Sequence, residues 1–158
     1  KLFRGMTATE FAPGVSPSRA MLVTVLFRHE GAPAAKAAAF TDVAADAWYA
    51  KAVAWAAANG IVKGVTETEF APDAPISREQ LATLLYRYAE YKQYASKDGD
   101  KPNFTDADRV SAYAVPALSW ATANGIVAGR DDGSVDPQGG ATRAETAIVM
   151  MRLLKLAK

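Results

Sequence analysis

Three arginines recur in one local setting: Ser18-Arg19, Ser77-Arg78 and Thr142-Arg143 each place a guanidinium just behind a hydroxyl residue and ahead of an apolar run. Gln80 and Glu145 follow three residues after Ser77 and Thr142. This is the capping-box pattern of a helix start, in which the two side chains satisfy two orphan backbone donors. Met21 occupies that place behind Ser18 and cannot close the box. Capping does not account for the arginine, because a cation at the first helical position faces the positive end of the macrodipole and costs roughly a few tenths of a kcal/mol. A planar guanidinium beside free helix-start amides is suited to a carboxylate or another anion. The alternative is structural: an arginine laid over a neighbouring repeat, or paired with Asp42 or Asp106.

Other residue types narrow the chemistry. Trp48 and Tyr113 offer flat faces that suit the apolar side of a sugar ring, although a tryptophan on an alanine-rich helix ordinarily fills core, as is expected of Trp55 and Trp120. Lys63-Gly64 and Ala128-Gly129-Arg130 fall on a turn where glycine either admits a ligand to the backbone or serves the turn alone. The chain has one histidine, His29, and no cysteine, which removes thiolate and His-rich metal sites and leaves His29 as a packing or edge residue. Asp131-Asp132-Gly133 lacks the alternating acids and distal glutamate of a calcium loop and reads as a turn. Paired carboxylates for glycoside hydrolysis need a shared cleft, and the repeat singles out no acid but the capping Glu145. No catalytic residue, metal ligand or cofactor is therefore expected.

The elements that must position these groups come from an internal repeat. Fifty-nine residues separate Arg19 from Arg78 and sixty-five separate Arg78 from Arg143, and the flanking residues keep step. Phe11-Ala12-Pro13, Phe70-Ala71-Pro72 and Val135-Asp136-Pro137 correspond, as do Phe27-Arg28, Tyr86-Arg87 and Met151-Arg152. The preceding half recurs twice, from Phe40-Thr41-Asp42 to Asn59-Gly60-Ile61 and from Phe104-Thr105-Asp106 to Asn124-Gly125-Ile126. Only Leu2-Phe3-Arg4-Gly5 represents it in the first copy, which reads as a truncation or a processing boundary. Trp48, Ala52, Trp55, Ala56 and Asn59 share one helical face, and Asn-Gly-Ile closes that helix with a left-handed cap. Leu81, Leu84, Leu85 and Tyr88, like Leu22, Val25 and Leu26, form the stripe of a second helix.

Each copy thus reads as helix, turn, short extended piece, helix. A helix pair of this kind cannot bury its apolar faces alone, so the copies must pack on one another. The expected fold is all-α, a pseudo-threefold arrangement of helix-loop-helix repeats around a central bundle. One domain over 1–158 divides into 1–39 (rear half of repeat one plus linker), 40–103 (repeat two plus linker) and 104–158 (repeat three). The linkers are Gly31 to Ala39 and Ser96 to Asn103. A net charge of +1, with both signs spread along the chain, argues against nucleic acid as a partner. No apolar run reaches the roughly 20 residues that cross a bilayer, so membrane insertion is not expected.

Phe-x-Asp-Val, Trp-Tyr, Trp-Ala, Asn-Gly-Ile-Val-x-Gly, Phe-x-Pro and Ser/Thr-Arg-Ala/Glu-Glu/Gln, in that order and repeated, resemble the S-layer homology family over nearly the whole chain. The resemblance implies an extracellular module that holds a protein on the cell wall. Its grooves between repeats would bind a secondary cell-wall polysaccharide, often through a pyruvylated sugar, with other surface-layer subunits as further partners. Arg19, Arg78 and Arg143 would receive the pyruvyl carboxylate. Trp48 and Tyr113 would flank the sugar, Gly64 and Gly129 would line the groove with Lys63 and Arg130 beside them, and Asp42 and Asp106 would orient it. Met21 and Val135 depart from the family pattern and imply grooves of unequal affinity. Two other functions fit the residues: a protein-binding or self-assembly repeat, and an accessory module of a surface glycoside hydrolase.

Overall fold

A computed structural model describes residues 9–36, 40–94, 99–101 and 103–156. Leu2–Gly5 and parts of both linkers lie outside the described residues. Among the described residues five α-helices follow in chain order: α1 (Arg19–His29), α2 (Ala50–Ala58), α3 (Arg78–Lys92), α4 (Val115–Ala123) and α5 (Arg143–Leu156), with 3₁₀ turns at Ala107–Arg109 and Ala112–Ala114 before α4. The expected extended pieces amount to two isolated bridges, Ser18 with Pro75 and Ser77 with Gly140, so the described residues are all-α. No helix among them is long and apolar enough to cross a membrane.

The chain divides into two compact units, Lys1–Pro75 and Ile76–Lys158. In the first, α1 packs on α2, and in the second, α3 packs on α4 and α5. The partners are therefore the rear helix of one repeat and the front helix of the next. Small side chains favour the close approach: Ala20 and Val23 on α1 and Ala52, Val53 and Ala56 on α2 are all fully buried. One aromatic pair anchors each contact, Phe27 with Trp55 at 5.8 Å and Tyr86 with Trp120 at 5.4 Å between ring centres. Each such pair stabilises by about 1 kcal/mol beyond its buried area.

The front helices end as their sequence dictates. Gly60 (φ +69°) and Gly125 (φ +64°) take the left-handed conformation, and the buried Ile61 and Ile126 donate back to Ala56 and Ala121 carbonyls, both at 2.8 Å. The preceding asparagines use their side-chain amides on the Trp55 and Trp120 carbonyls, which explains why asparagine stands at both places. His29 ends α1 and is exposed. Trp48 departs from expectation. Turns closed by Ala47 and Ala50 amides delay α2 to Ala50, so Trp48 precedes the helix instead of lying on its apolar face, and it is 61% exposed.

Candidate functional site

Both units build the same device around the arginine. In the first, the Asp42 carboxylate accepts from the Phe70 and Ala71 amides at 2.8 and 2.7 Å. The Phe70 carbonyl then accepts from Arg19 Nε at 2.9 Å, and Arg19 Nη2 reaches the Lys63 carbonyl at 3.1 Å. The guanidinium lies 4.7 Å over the Phe70 ring, a cation–π arrangement. In the second unit, Asp106 accepts from Val135 and Asp136 at 2.8 Å each, and the Val135 carbonyl accepts from Arg78 Nε at 2.7 Å. Asp42 and Asp106 thus fix a loop whose carbonyl aims an arginine. Each aspartate spends its carboxylate on two adjacent amides, and Arg19 adds to Asp42 a favourable electrostatic interaction.

The loop so held is strained. Ala71 and Asp136, the residues whose amides the carboxylates receive, have φ of +56° and +48°, and Ala12 at the same repeat position has +52°. Non-glycine residues reach this region at a cost on the order of 1 kcal/mol. Burial draws the Asp106 carboxyl upward, but the Val135 and Asp136 amides, its own amide and Arg109 outweigh that and hold it below the ordinary carboxylate value. Asp42 is lowered likewise: its slight burial is outweighed by Phe70, Ala71, its own amide and Arg19.

The same loops correct one sequence expectation. The helix-start amides beside Arg19 and Arg78 are not free for an anion. Arg19 and Ala20 donate to the Ala74 and Pro72 carbonyls at 3.0 Å, and Arg78 and Glu79 donate to Gly139 and Pro137 at 2.9 Å. The third amide goes to the capping hydroxyl, Met21 to Ser18 and Gln80 to Ser77. Any anion at these helix starts is left with the guanidinium. The capping boxes themselves form at Ser77–Gln80 and at Thr142–Glu145, whereas Ser18 caps alone.

Beside Arg78 the second unit opens a cleft of about 250 Å³. Leu81, Val127, Ile148 and Val149 give it an apolar floor, and Gly129 lies in its wall. Three arginines, Arg78, Arg130 and Arg152, share the lining with one acid, Glu145. Arg78 Nη1 bonds Glu145 Oε1 at 2.5 Å, Arg130 pairs with Asp136 at 2.8 Å, and Arg152 reaches the Ile126 carbonyl at 3.1 Å. Among the described residues, Arg78 Nη2 has no protein acceptor. Burial pulls the Glu145 carboxyl upward, yet the Thr142 amide and hydroxyl, Arg78 and Arg130 together hold it below its ordinary value. An excess of guanidinium over an apolar floor can take an anion that also carries an apolar face.

The sequence-derived residues divide accordingly. Arg78, Gly129 and Arg130 come together in the cleft. Arg143 is 4% exposed at the start of α5 and does not line it. Tyr113 lies beyond it too, on a 3₁₀ turn, half exposed, with its hydroxyl on the buried Glu79 at 3.1 Å. Arg19 stands with the Lys63 carbonyl, and a Cβ on the adjacent Gly64 would run into the Thr66 and Glu69 carbonyls. That glycine is required by close packing. Sequence reasoning missed Arg152 and the floor. The signal was available, since Glu145, Ile148, Val149 and Arg152 keep the spacing of one helical face.

Comparison with known proteins locates two matches to one family description, the S-layer homology domain, at residues 39–82 and 103–147. Over 98% of its length the chain is similar to the Surface-layer 125 kDa protein of Lysinibacillus sphaericus, with 32% identity over 13% of that protein. It is 33% identical to 16% of an Endoglucanase of Bacillus sp. (strain KSM-635) and 30% identical to 8% of an Amylopullulanase of Thermoanaerobacterium thermosulfurigenes, again over 98% of its own length. The chain spans less than a fifth of each of these relatives.

Proposed function

This chain belongs to the S-layer homology family, and on that premise we propose that the cleft beside Arg78 binds an anionic secondary cell-wall polysaccharide through a pyruvyl carboxylate. The coarser role belongs to the family: an S-layer homology domain is a non-catalytic module that anchors surface proteins at the cell wall. The relatives point the same way. A surface-layer protein and two proteins named as polysaccharide-degrading enzymes share this segment with the chain, so the shared part is the attachment and the chemistry lies elsewhere in those proteins.

One observation carries the finer reading: three guanidiniums and one carboxylate surround an open cleft with an apolar floor. Arg78 Nη2 offers the ligand carboxylate a charge-assisted bond, and Arg130 and Arg152 add positive potential. The apolar floor suits the methyl group of a pyruvyl acetal and the hydrophobic face of a sugar. Exposed Tyr113 in the second unit and exposed Trp48 in the first each offer a face on which a sugar of the polymer stacks. Arg19 is the corresponding carboxylate receiver in the first unit, with Asp42 and Asp106 as orienting groups, whereas Arg143, 4% exposed, supports the start of α5.

Titration with purified wall polysaccharide, before and after removal of its pyruvyl groups, tests this reading. Native polymer binds and depyruvylated polymer does not. Arg78→Ala weakens binding by about ten- to a hundredfold, the loss of one or two charge-assisted hydrogen bonds, while far-ultraviolet circular dichroism is unchanged. Equal binding of both polymers, or full affinity in Arg78→Ala, refutes the assignment.

A further inference from the structure

Glu145 occupies the cleft in the manner of a ligand. Its Oε1 takes Arg78 Nη1 at 2.5 Å, while its Oε2 accepts the Thr142 amide at 2.7 Å and closes the capping box of α5. The side chain is 36% exposed and faces the open space beside Arg78, with Arg130 close enough to act on it electrostatically. Capping does not require the charge. In the same unit Gln80 closes the box of α3 with a neutral side chain: its Oε1 accepts from the Ser77 amide and its backbone amide donates to the Ser77 hydroxyl, both at 3.3 Å. Behind Ser18 the position is Met21, and α1 still starts there with the hydroxyl alone. A carboxylate at 145 is therefore surplus to the helix.

We infer that Glu145 is an affinity-setting residue of the cleft, a built-in carboxylate that competes with the ligand's anion for Arg78. The inference rests on the anionic-ligand reading above and deepens it. With Glu145 in place, an incoming carboxylate is confined to the Nη2 edge of Arg78 and to Arg130, and it feels one negative charge at close range. The cleft accordingly holds its polymer more weakly than its three arginines would allow, which suits an attachment made at many sites along one wall. Multiple weak contacts give a firm yet exchangeable hold, because effective concentration multiplies them.

Replacement of Glu145 by glutamine keeps the cap and removes the charge. Titration of Glu145→Gln with pyruvylated wall polysaccharide gives about three- to tenfold tighter binding than the unsubstituted chain, the effect of one unit charge a few ångströms from the ligand at a partly exposed site. Glu145→Met, which copies the residue type of repeat one, shifts affinity in the same direction and guards against a folding artefact in either variant. On an Arg78→Ala background the part of the gain that comes from freeing Arg78 Nη1 is lost and only the smaller part due to direct repulsion remains, a non-additivity that a merely structural Glu145 would not produce. If Arg78→Ala abolishes binding but both Glu145 variants bind equally or more weakly, the inference falls and the anchoring reading stands. If neither Arg78 nor Glu145 substitution alters binding, both fall together.

Discussion

Substitution of Asp106 by asparagine removes the group that holds the arginine-aiming loop of the second unit. The carboxylate accepts two amides at 2.8 Å each, one of them from Asp136 at φ +48°. Asparagine keeps one acceptor oxygen and turns an NH₂ group toward the other amide, so one charge-assisted bond becomes a donor–donor clash and the second loses its charge. Hydrogen bonds to charged groups contribute about 1.5–3 kcal/mol. Asp106 is half-buried, which favours the low end, and the expected loss is about 2 kcal/mol. For a unit of this size that lowers the melting temperature by roughly 8–16 °C.

The pH dependence of this loss has a definite sign. The folded-state pKa of Asp106 lies below its ordinary value of 3.8, so its stabilisation is fully present above that value and is lost as pH falls through the lower, folded pKa. Calorimetry of both proteins should show a constant gap in melting temperature from pH 7 to 5 that narrows below pH 4. A gap under about 2 °C at neutral pH, or one undiminished at pH 3, would refute the reasoning.

Trp48→Ala should leave the melting temperature nearly unchanged, because that side chain is 61% exposed, whereas Trp55→Ala, 3% exposed against Phe27, should cost about 3–5 kcal/mol. Polysaccharide titration of Trp48→Ala checks its stacking role separately: affinity should fall several-fold. Gly64→Ala should destabilise by about 3 kcal/mol or more in urea denaturation, since the new methyl meets two backbone carbonyls. Gly129→Ala should cost about 1 kcal/mol, with only the Phe104 ring at 3.0 Å and the Ser134 carbonyl at 3.2 Å to give way. Thr142→Ala should cost about 1 kcal/mol through the lost cap of α5. Binding at the Arg78 cleft should weaken as salt rises, less steeply than for an exposed pair.

The helices, their caps and their buried stripes were legible because each depends on neighbours within a turn or two: Ser77 with Gln80, Gly60 with Ile61, Leu81 with Leu85. The site was legible only in part. Arg78, Gly129 and Arg130 were identified from recurrence and turn chemistry. The fate of the helix-start amides was not, since Pro137 and Gly139 take them from a loop some sixty residues away and carbonyls leave no mark in a sequence. Trp48 was misplaced by extending a good helical pattern two residues beyond the turns that delay α2. Ion-pair choice was also hidden, because Arg78 reaches Glu145 through folding and not through spacing.

The offset between the covalent repeat and the packing partners has a consequence for how such chains lengthen or shorten. Trp55 of one copy seals Phe27 of the copy before it, and Trp120 seals Tyr86 likewise. Loss or gain of a whole period joins a rear helix to a front helix of the same kind and restores the aromatic pair between them. A cut of half a period would instead leave a tryptophan or its partner ring without the face it packs on.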